Sequence, residues 1–96
     1  MKVVWVKNAQ NQLKKIIKYI KQDSIQNAEI IRINILESTN KLSSHPEKYP
    51  IDKYKNKNDG EFRAYEIYRY RISYEITKDQ INIVRVRSTD QEPLQY

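Results

Sequence analysis

Residues 69–76 read RYRISYEI, a stretch that alternates polar and apolar side chains without interruption. The apolar members share one parity: Tyr70, Ile72, Tyr74 and Ile76. The polar members share the other: Arg69, Arg71, Ser73 and Glu75. Because successive side chains of a strand point to opposite faces of its sheet, the pattern predicts a half-buried β-strand with Arg69 and Arg71 on one face.

Two further strand patterns flank this stretch. GEFRAYEIY (60–68) precedes it, and QINIVRVRS (80–88) follows it after a turn at residues 78–80. QINIVRVRS is apolar on both parities, which is typical of a strand that is covered on both faces and therefore central. The short connections predict that the three strands form an antiparallel meander.

The first half of the chain predicts a strand and two helices. KVVWV (2–6) is β-branched and apolar, which favours a short strand. Apolar residues then recur at helical spacing over residues 8–22 and 24–43, with Asn8 as the first N-cap and Asp23 or Ser24 as the second. Lysines occupy the outer face of the first helix. The prediction is one α+β domain over residues 1–96, with an antiparallel helical hairpin on one face of a sheet and the order βααβββ.

Composition limits the possible functions. The 96 residues carry a net charge of +6 and no cysteine, which favours an anionic partner and excludes a disulfide framework. No apolar run is long enough to span a bilayer, so we expect a cytosolic protein with no membrane partner. The lone histidine, His45, and the absence of a glycine-rich phosphate loop or paired metal ligands predict neither a metal nor a cofactor.

Five of the six arginines are concentrated in the predicted sheet: Arg63, Arg69, Arg71, Arg85 and Arg87. Guanidinium groups bind phosphate and carboxylate in a bidentate manner, so the cluster predicts an anion-binding surface, which the loop lysines Lys53, Lys55 and Lys57 would extend. The alternative is a solvated face in which the arginines pair with Glu66, Glu75 and Glu92. If the site performs metal-free phosphodiester chemistry, the candidates for proton transfer are those three lysines together with Tyr65, Tyr68 and Tyr96.

The order of these segments resembles the RelE/ParE superfamily of type II toxin–antitoxin toxins over nearly the full length. The resemblance rests on four segments: LKKIIKYI, SSHPEKYPID, Arg63 ahead of RYRISYEI, and INIVRVRSTDQEP. It implies a toxin, encoded on a chromosome or plasmid, that a cognate antitoxin neutralises in a hetero-oligomer.

The resemblance leaves the target open between two mechanisms. RelE-like toxins cleave mRNA on the ribosome, and a member of that group would use Arg63, Arg85, Arg87 and Tyr96 here. ParE-like toxins block DNA gyrase. Many relatives carry a cation after the last strand, whereas this chain has Asp90, which would repel a phosphate; this favours the ParE-like function. A ribosome-dependent endoribonuclease and a non-toxic RNA-binding module are the alternatives.

Overall fold

The computed structural model of the chain describes residues 1–91 and 94–96. Over these residues the chain forms two α-helices, α1 (Lys7–Lys21) and α2 (Ile25–Asn40), and a short 3-10 helix at Lys41–Ser43. Its strands are β1 (Lys2–Trp5), β2 (Phe62–Ile67), β3 (Tyr70–Ile76) and β4 (Gln80–Ser88). The predicted α+β class and the order βααβββ are confirmed.

The strands form a mixed sheet with the order β1-β4-β3-β2. β2, β3 and β4 form the predicted antiparallel meander. β4 lies between β3 and β1, which confirms its central position, although the helices cover only one of its two faces. β1 pairs with β4 in parallel, with Val3 opposite Ile81 and Trp5 opposite Ile83.

The helical hairpin covers one face of this sheet. Ala9 of α1 and Ile35 of α2 are fully buried in the same cluster as sheet residues that include Ile72, Tyr74 and Ile83. α1 presents its apolar stripe to this core, and its lysines remain exposed. The face of the sheet that the helices leave uncovered is called the open face below.

One of the predicted helix caps is wrong and one is confirmed. Val6, not Asn8, is the N-cap of α1, and its side chain makes no capping bond. The reason is that β1 runs into α1 with only Val6 between them, so that Asn8 is already helical. At the start of α2, Ser24 Oγ accepts a hydrogen bond from Asn27 N at 3.1 Å.

The loop between the 3-10 helix and β2 is attached to the sheet. Tyr74 Oη donates to the carbonyl oxygen of Pro46 at 2.6 Å, and the Tyr49 ring stacks on Tyr65 with 4.3 Å between centroids. Farther along, Asp52 N donates to Phe62 O at 2.9 Å. These bonds hold the loop along the edge strand β2 and bring Asp52 to the open face.

Candidate functional site

A β-bulge in β4 decides which arginines share a face. Successive residues of β3 pair with Arg85 and Ile83, so that Val84 is an extra residue in β4. Ile83 is fully buried under the helices, and strict alternation would send Arg85 to the same side. The extra residue shifts the alternation by one position, and Arg85 and Arg87 therefore lie on the open face.

The arginines of β3 and β4 meet in a recess on this face. Arg71 is directly opposite Arg87, and Ser73 is opposite Arg85. The recess has a volume of about 140 Å³, and Tyr54, Glu66 and Gln91 form part of its lining. The other lining residues supply guanidinium and hydroxyl donors: Arg71, Arg85, Arg87, Ser73, Ser88 and Thr89. We call these six residues the arginine recess. The prediction that Arg71 and Arg85 share a face is confirmed.

A buried carboxylate holds the recess together from the side of the loop. Asp52 is 1% exposed, and its Oδ1 accepts hydrogen bonds from Arg71 Nη2 at 2.9 Å and from Tyr54 N at 3.1 Å. Its Oδ2 accepts from Tyr96 Oη at 2.6 Å. Three segments that are distant in sequence therefore meet at one carboxyl group.

The C-terminal residues form the other wall of this arrangement. Tyr96 N donates to Tyr54 O at 2.9 Å, and Asn56 N donates to Tyr96 O at 2.6 Å, in the manner of a short sheet pairing. The guanidinium of Arg85 lies 4.6 Å from the Tyr96 ring centroid, and its Nη1 donates to Leu94 O at 2.7 Å. The position of Arg85 is thus fixed by the strand on one side and by the C-terminal residues on the other.

The electrostatics of the site follow from this packing. Burial disfavours the charged form of Asp52, but the hydrogen bonds from Tyr96, Arg71, the Tyr54 amide and Ser73 outweigh it and lower the pKa of the carboxyl. Burial, followed by the bond to Asp52, raises the pKa of Tyr96. Burial and then the charge of Arg87 lower the pKa of Arg85, which indicates that cations are crowded in the recess.

These properties define what the recess can do chemically. Guanidinium and hydroxyl donors on two adjacent strands can bind an anionic group of the size of a phosphate or a carboxylate. Tyr96 keeps its proton at neutral pH, because its hydroxyl donates to a carboxylate and its pKa is raised. The geometry therefore favours anion binding over proton transfer.

Arg63 does not belong to this surface, which corrects the expected single arginine face. It pairs with Tyr74 and shares the parity of Tyr65, so it lies on the side of the sheet that the helices cover. Its Nη1 donates to the carbonyl oxygens of Tyr49 at 2.8 Å and Glu47 at 3.4 Å. Arg63 thus holds the loop against the edge of the sheet.

The placement of Arg69 on a strand is also wrong. Tyr68 and Arg69 form the two-residue turn between β2 and β3, and both have a positive φ, 52° and 66°. Two-residue hairpin turns that match the twist of their strands require this left-handed backbone at both positions. Arg69 is therefore exposed at the tip of a hairpin, apart from the recess.

The acids expected to neutralise a solvated face have separate roles. Glu66 Oε2 lies 3.5 Å from Arg71 Nη1 at the rim of the recess, while Glu75 Oε1 accepts from Asn82 Nδ2 at 3.1 Å. Glu92 lies outside the described residues. Of these two described acids, Glu66 reaches the arginine recess and Glu75 does not.

The loop lysines differ in how close they come to the site. Lys55 Nζ lies 5.3 Å from the ring centroid of Tyr96, at the edge of the site. Lys53 Nζ lies over the ring of Tyr54 at 5.3 Å, and Lys57 is exposed with a φ of 53°. Lys53 and Lys55 therefore each lie against a tyrosine residue that hydrogen-bonds to Asp52.

Two of the tyrosines proposed for proton transfer have structural contacts elsewhere. The Tyr65 hydroxyl lies 2.7 Å from Ser38 Oγ, and burial raises its pKa to about 12, against the opposing effect of that hydrogen bond. Tyr68 Oη accepts from Asn34 Nδ2 at 2.5 Å. Both hydroxyls connect the sheet to α2 rather than to the recess.

Asp90 does not line the recess, although it follows β4 directly. The Asp90 residue is exposed. Burial of Tyr70 raises the pKa of its hydroxyl, and the negative charge of Asp90 raises it further. Tyr70 has the opposite parity in β3 to Arg71, so Asp90 acts on a residue outside the recess. The acidic group inside the site is Asp52, which the sequence analysis did not single out. Asp52 is the last residue of SSHPEKYPID, one of the four segments that carry the family resemblance, whereas the exposed Asp59 of the same lysine-rich loop lies outside it. That position was the one sign in the sequence that could have separated the two aspartates.

The sequence model of one family, described as the ParE toxin of the type II toxin–antitoxin system parDE, matches residues 3–93 of the chain. This match confirms the resemblance to the RelE/ParE superfamily of type II toxins. The chain belongs to the ParE toxin family, which implies that it has a cognate antitoxin. A comparison with individual curated proteins finds no match. Within residues 1–91 and 94–96, no helix is long and apolar enough to cross a membrane.

Proposed function

We propose that this protein is a growth-inhibiting toxin that blocks DNA gyrase by binding it through the arginine recess, without cleaving nucleic acid. The observation that carries the proposal is the bond between Tyr96 Oη and Asp52 Oδ2, 2.6 Å long. This bond commits the hydroxyl of Tyr96, the tyrosine that a cleaving relative would use, to donating its proton to a carboxylate, so that it is not an available proton acceptor.

The site lacks a group that could take a proton at neutral pH among the residues described above. A metal-free ribonuclease needs a side chain that takes a proton from the attacking hydroxyl, and such a group has a pKa near the working pH. Burial and Asp52 raise the pKa of Tyr96, so it does not act as a base at neutral pH. His45 lines a different groove, between α2 and the following loop, together with Lys48 and Tyr49.

The arginines of the recess are held in place by their neighbours, which favours binding. Arg71 is held by Asp52 and Glu66, and Arg85 is held by Leu94 O and the Tyr96 ring. Side chains that are already ordered lose less conformational entropy when a partner binds. Such a preorganised set of donors suits an acidic surface of a protein target.

The cognate antitoxin would neutralise the toxin by covering the helical hairpin. α2 exposes three isoleucines to solvent: Ile25 at 74%, Ile30 at 45% and Ile33 at 40%. An acidic, partly disordered antitoxin segment that folds on binding can bury such a stripe as an amphipathic helix in contact with it. Co-expression of an acidic protein encoded next to this chain should therefore restore growth that the toxin alone stops.

Two assays of the purified toxin test the proposal. We expect inhibition of gyrase-catalysed DNA supercoiling and no cleavage of mRNA on translating ribosomes. The double variant Arg85→Gln, Arg87→Gln should lose the inhibition, while Arg32→Gln, an exposed arginine paired with Glu29 on α2, should keep it. Ribosome-dependent mRNA cleavage by the unmodified chain, with supercoiling unaffected, would instead assign the RelE-like function.

A further inference from the structure

The net charge of the protein is concentrated in one helix. α1 contains five lysines and no acidic residue: Lys7, Lys14, Lys15, Lys18 and Lys21. The rest of the chain holds 13 basic and 12 acidic residues, so α1 accounts for five of the six net positive charges. We call these five side chains the lysine face.

The lysine face is open to solvent. All five side chains are exposed, and within residues 1–91 and 94–96 none of them makes an ion pair. Between α1 and α2, a groove of about 260 Å³ is walled by Lys14, Lys18 and Lys21 over an apolar floor that includes Ile17. Arg32 reaches the same groove from α2, where it pairs with Glu29.

The fold itself does not require this arrangement. Lys18 and Lys21 lie in the last turn, where cations interact favourably with the helix dipole, but Lys7 lies in the first turn, where a cation is disfavoured. Lys14 and Lys18 are four residues apart, and like charges at this spacing destabilise a helix. A face that keeps unfavourable like charges, with no acid between them, is suited to a polyanionic partner.

We propose that the lysine face binds the phosphate backbone of duplex DNA. The fifteen residues of α1 form a helix about 22 Å long, which presents point charges to a rigid polyanion that carries one charge per about 1.7 Å. Single-stranded nucleic acids are bound by stacking on aromatic side chains, and on this helix Tyr19 is the single aromatic residue. Insertion into a membrane surface needs an exposed apolar helix face, whereas the apolar stripe of α1 packs against the sheet.

This binding surface is separate from the arginine recess. α1 covers the helix side of the sheet, while Arg71, Arg85 and Arg87 line the open face on the other side. DNA binding therefore requires neither gyrase nor the recess. A toxin that holds DNA on one face and a protein on the other would be concentrated where the two occur together.

The test measures the affinity of the toxin for a labelled, mixed-sequence duplex of about 24 base pairs by fluorescence anisotropy. With three to four phosphate contacts, the logarithm of the association constant should fall with the logarithm of salt concentration with a slope of about −3. The triple variant Lys14→Gln, Lys18→Gln, Lys21→Gln should bind at least about tenfold more weakly at 50 mM salt. Glutamine keeps a similar helix propensity, so circular dichroism should show an unchanged fold.

The matched control removes three exposed lysines elsewhere: Lys2→Gln, Lys41→Gln and Lys78→Gln. It lowers the net charge equally and should weaken binding by less than about threefold. Equal losses in both variants, or no DNA binding at 50 mM salt, would overturn the proposal. Tighter binding of single-stranded RNA or of phosphatidylserine vesicles through the same lysines would also overturn it. The double variant Arg85→Gln, Arg87→Gln should retain DNA binding while losing gyrase inhibition. Failure of the DNA-binding proposal can therefore be distinguished from failure of the proposed gyrase inhibition.

Discussion

The lysine face and the arginine recess are both basic, but they are built in opposite ways. The lysine face accounts for five of the six net positive charges, and among the described residues its lysines form no ion pairs on the helix surface. The recess sets three arginines against Asp52 and Glu66, and it depends on a bulge, a loop and the C-terminal residues for its shape. The lysine face would attract a polyanion through its net charge alone. The arginine recess is nearly neutral, and its selectivity would come from the fixed geometry of its donors.

The largest difference between the two regions should appear in the free energy of unfolding. Asp52→Ala leaves Arg71 and Tyr96 without their shared acceptor, and removing one partner of a buried ion pair should cost about 3 kcal/mol. Urea denaturation followed by circular dichroism measures this loss. The three-glutamine variant of the lysine face should change stability by less than about 0.5 kcal/mol, because its side chains are exposed and unpaired.

Asp59→Ala is the control for this experiment, since Asp59 is an exposed aspartate of the same loop. Its stability should stay within about 0.5 kcal/mol of the wild type. Equal behaviour of Asp52→Ala and Asp59→Ala would mean that the recess is no more integrated into the fold than an ordinary surface loop.

Acid should affect the recess more than the lysine face. Burial raises the pKa of the Asp52 carboxyl, but the hydrogen bonds from Tyr96 and Arg71 prevail and hold it below its ordinary value. A lowered folded pKa means that the stabilisation is complete above the unfolded value of about 4 and is lost as pH falls through the folded pKa. Unfolding free energy measured from pH 7 downwards should decline more steeply in the wild type than in Asp52→Asn. Parallel curves would contradict the role assigned to this carboxylate.

Arg69→Gly distinguishes the arginine of the hairpin turn from those of the recess. Glycine adopts a φ of 66° without steric cost, so this variant should be more stable than the wild type by about 1 kcal/mol. Arg69→Ala keeps the Cβ atom and should leave stability nearly unchanged. Thermal unfolding of both variants gives the comparison, and loss of gyrase inhibition in Arg69→Gly would return this residue to the binding surface.

The smallest effect is expected from Asp90→Arg. Asp90 is exposed and does not line the recess, so the change should alter stability by less than about 0.5 kcal/mol and should not create mRNA cleavage. Ribosome-dependent cleavage assays on the variant check this directly. Cleavage gained with Asp90→Arg would show that this acid, rather than the carboxylate of Asp52, is what restrains catalysis.

The regular elements were predictable because their patterns are local. The alternation of residues 70–76 and the helical spacing in α1 each depend on neighbours within one element. The grouping of Arg71 with Arg85 was also predicted, but the bulge at Val84 that secures it was not. Its trace in the sequence is the change of apolar parity from Ile81 and Ile83 to Val84 and Val86, which was interpreted as cover on both faces. Without that bulge, Arg85 would share the side of Ile83.

The errors concern residues whose environment is set by tertiary structure or by a turn. Arg63 has the same parity as Tyr65, but the other parity of β2 includes the apolar residues Phe62 and Ala64, so the sequence does not show which face is covered. Tyr68 and Arg69 form a turn that usually contains Asn-Gly, and this pair carries no such signal.

The pairing of β1 with β4 has a consequence for how the protein is made. Each residue of β1 pairs with a residue 78 positions farther along the chain, the longest separation of any strand pair in the sheet. Contacts of such separation form slowly, because a long loop must close before they contribute. On a translating ribosome, the apolar strand Lys2–Trp5 emerges early and waits for nearly the entire chain before its partner exists. The nascent chain therefore cannot complete its sheet, or assemble the arginine recess, until β4 has left the exit tunnel, so a partner that needs the recess can bind only once nearly the whole chain has been made.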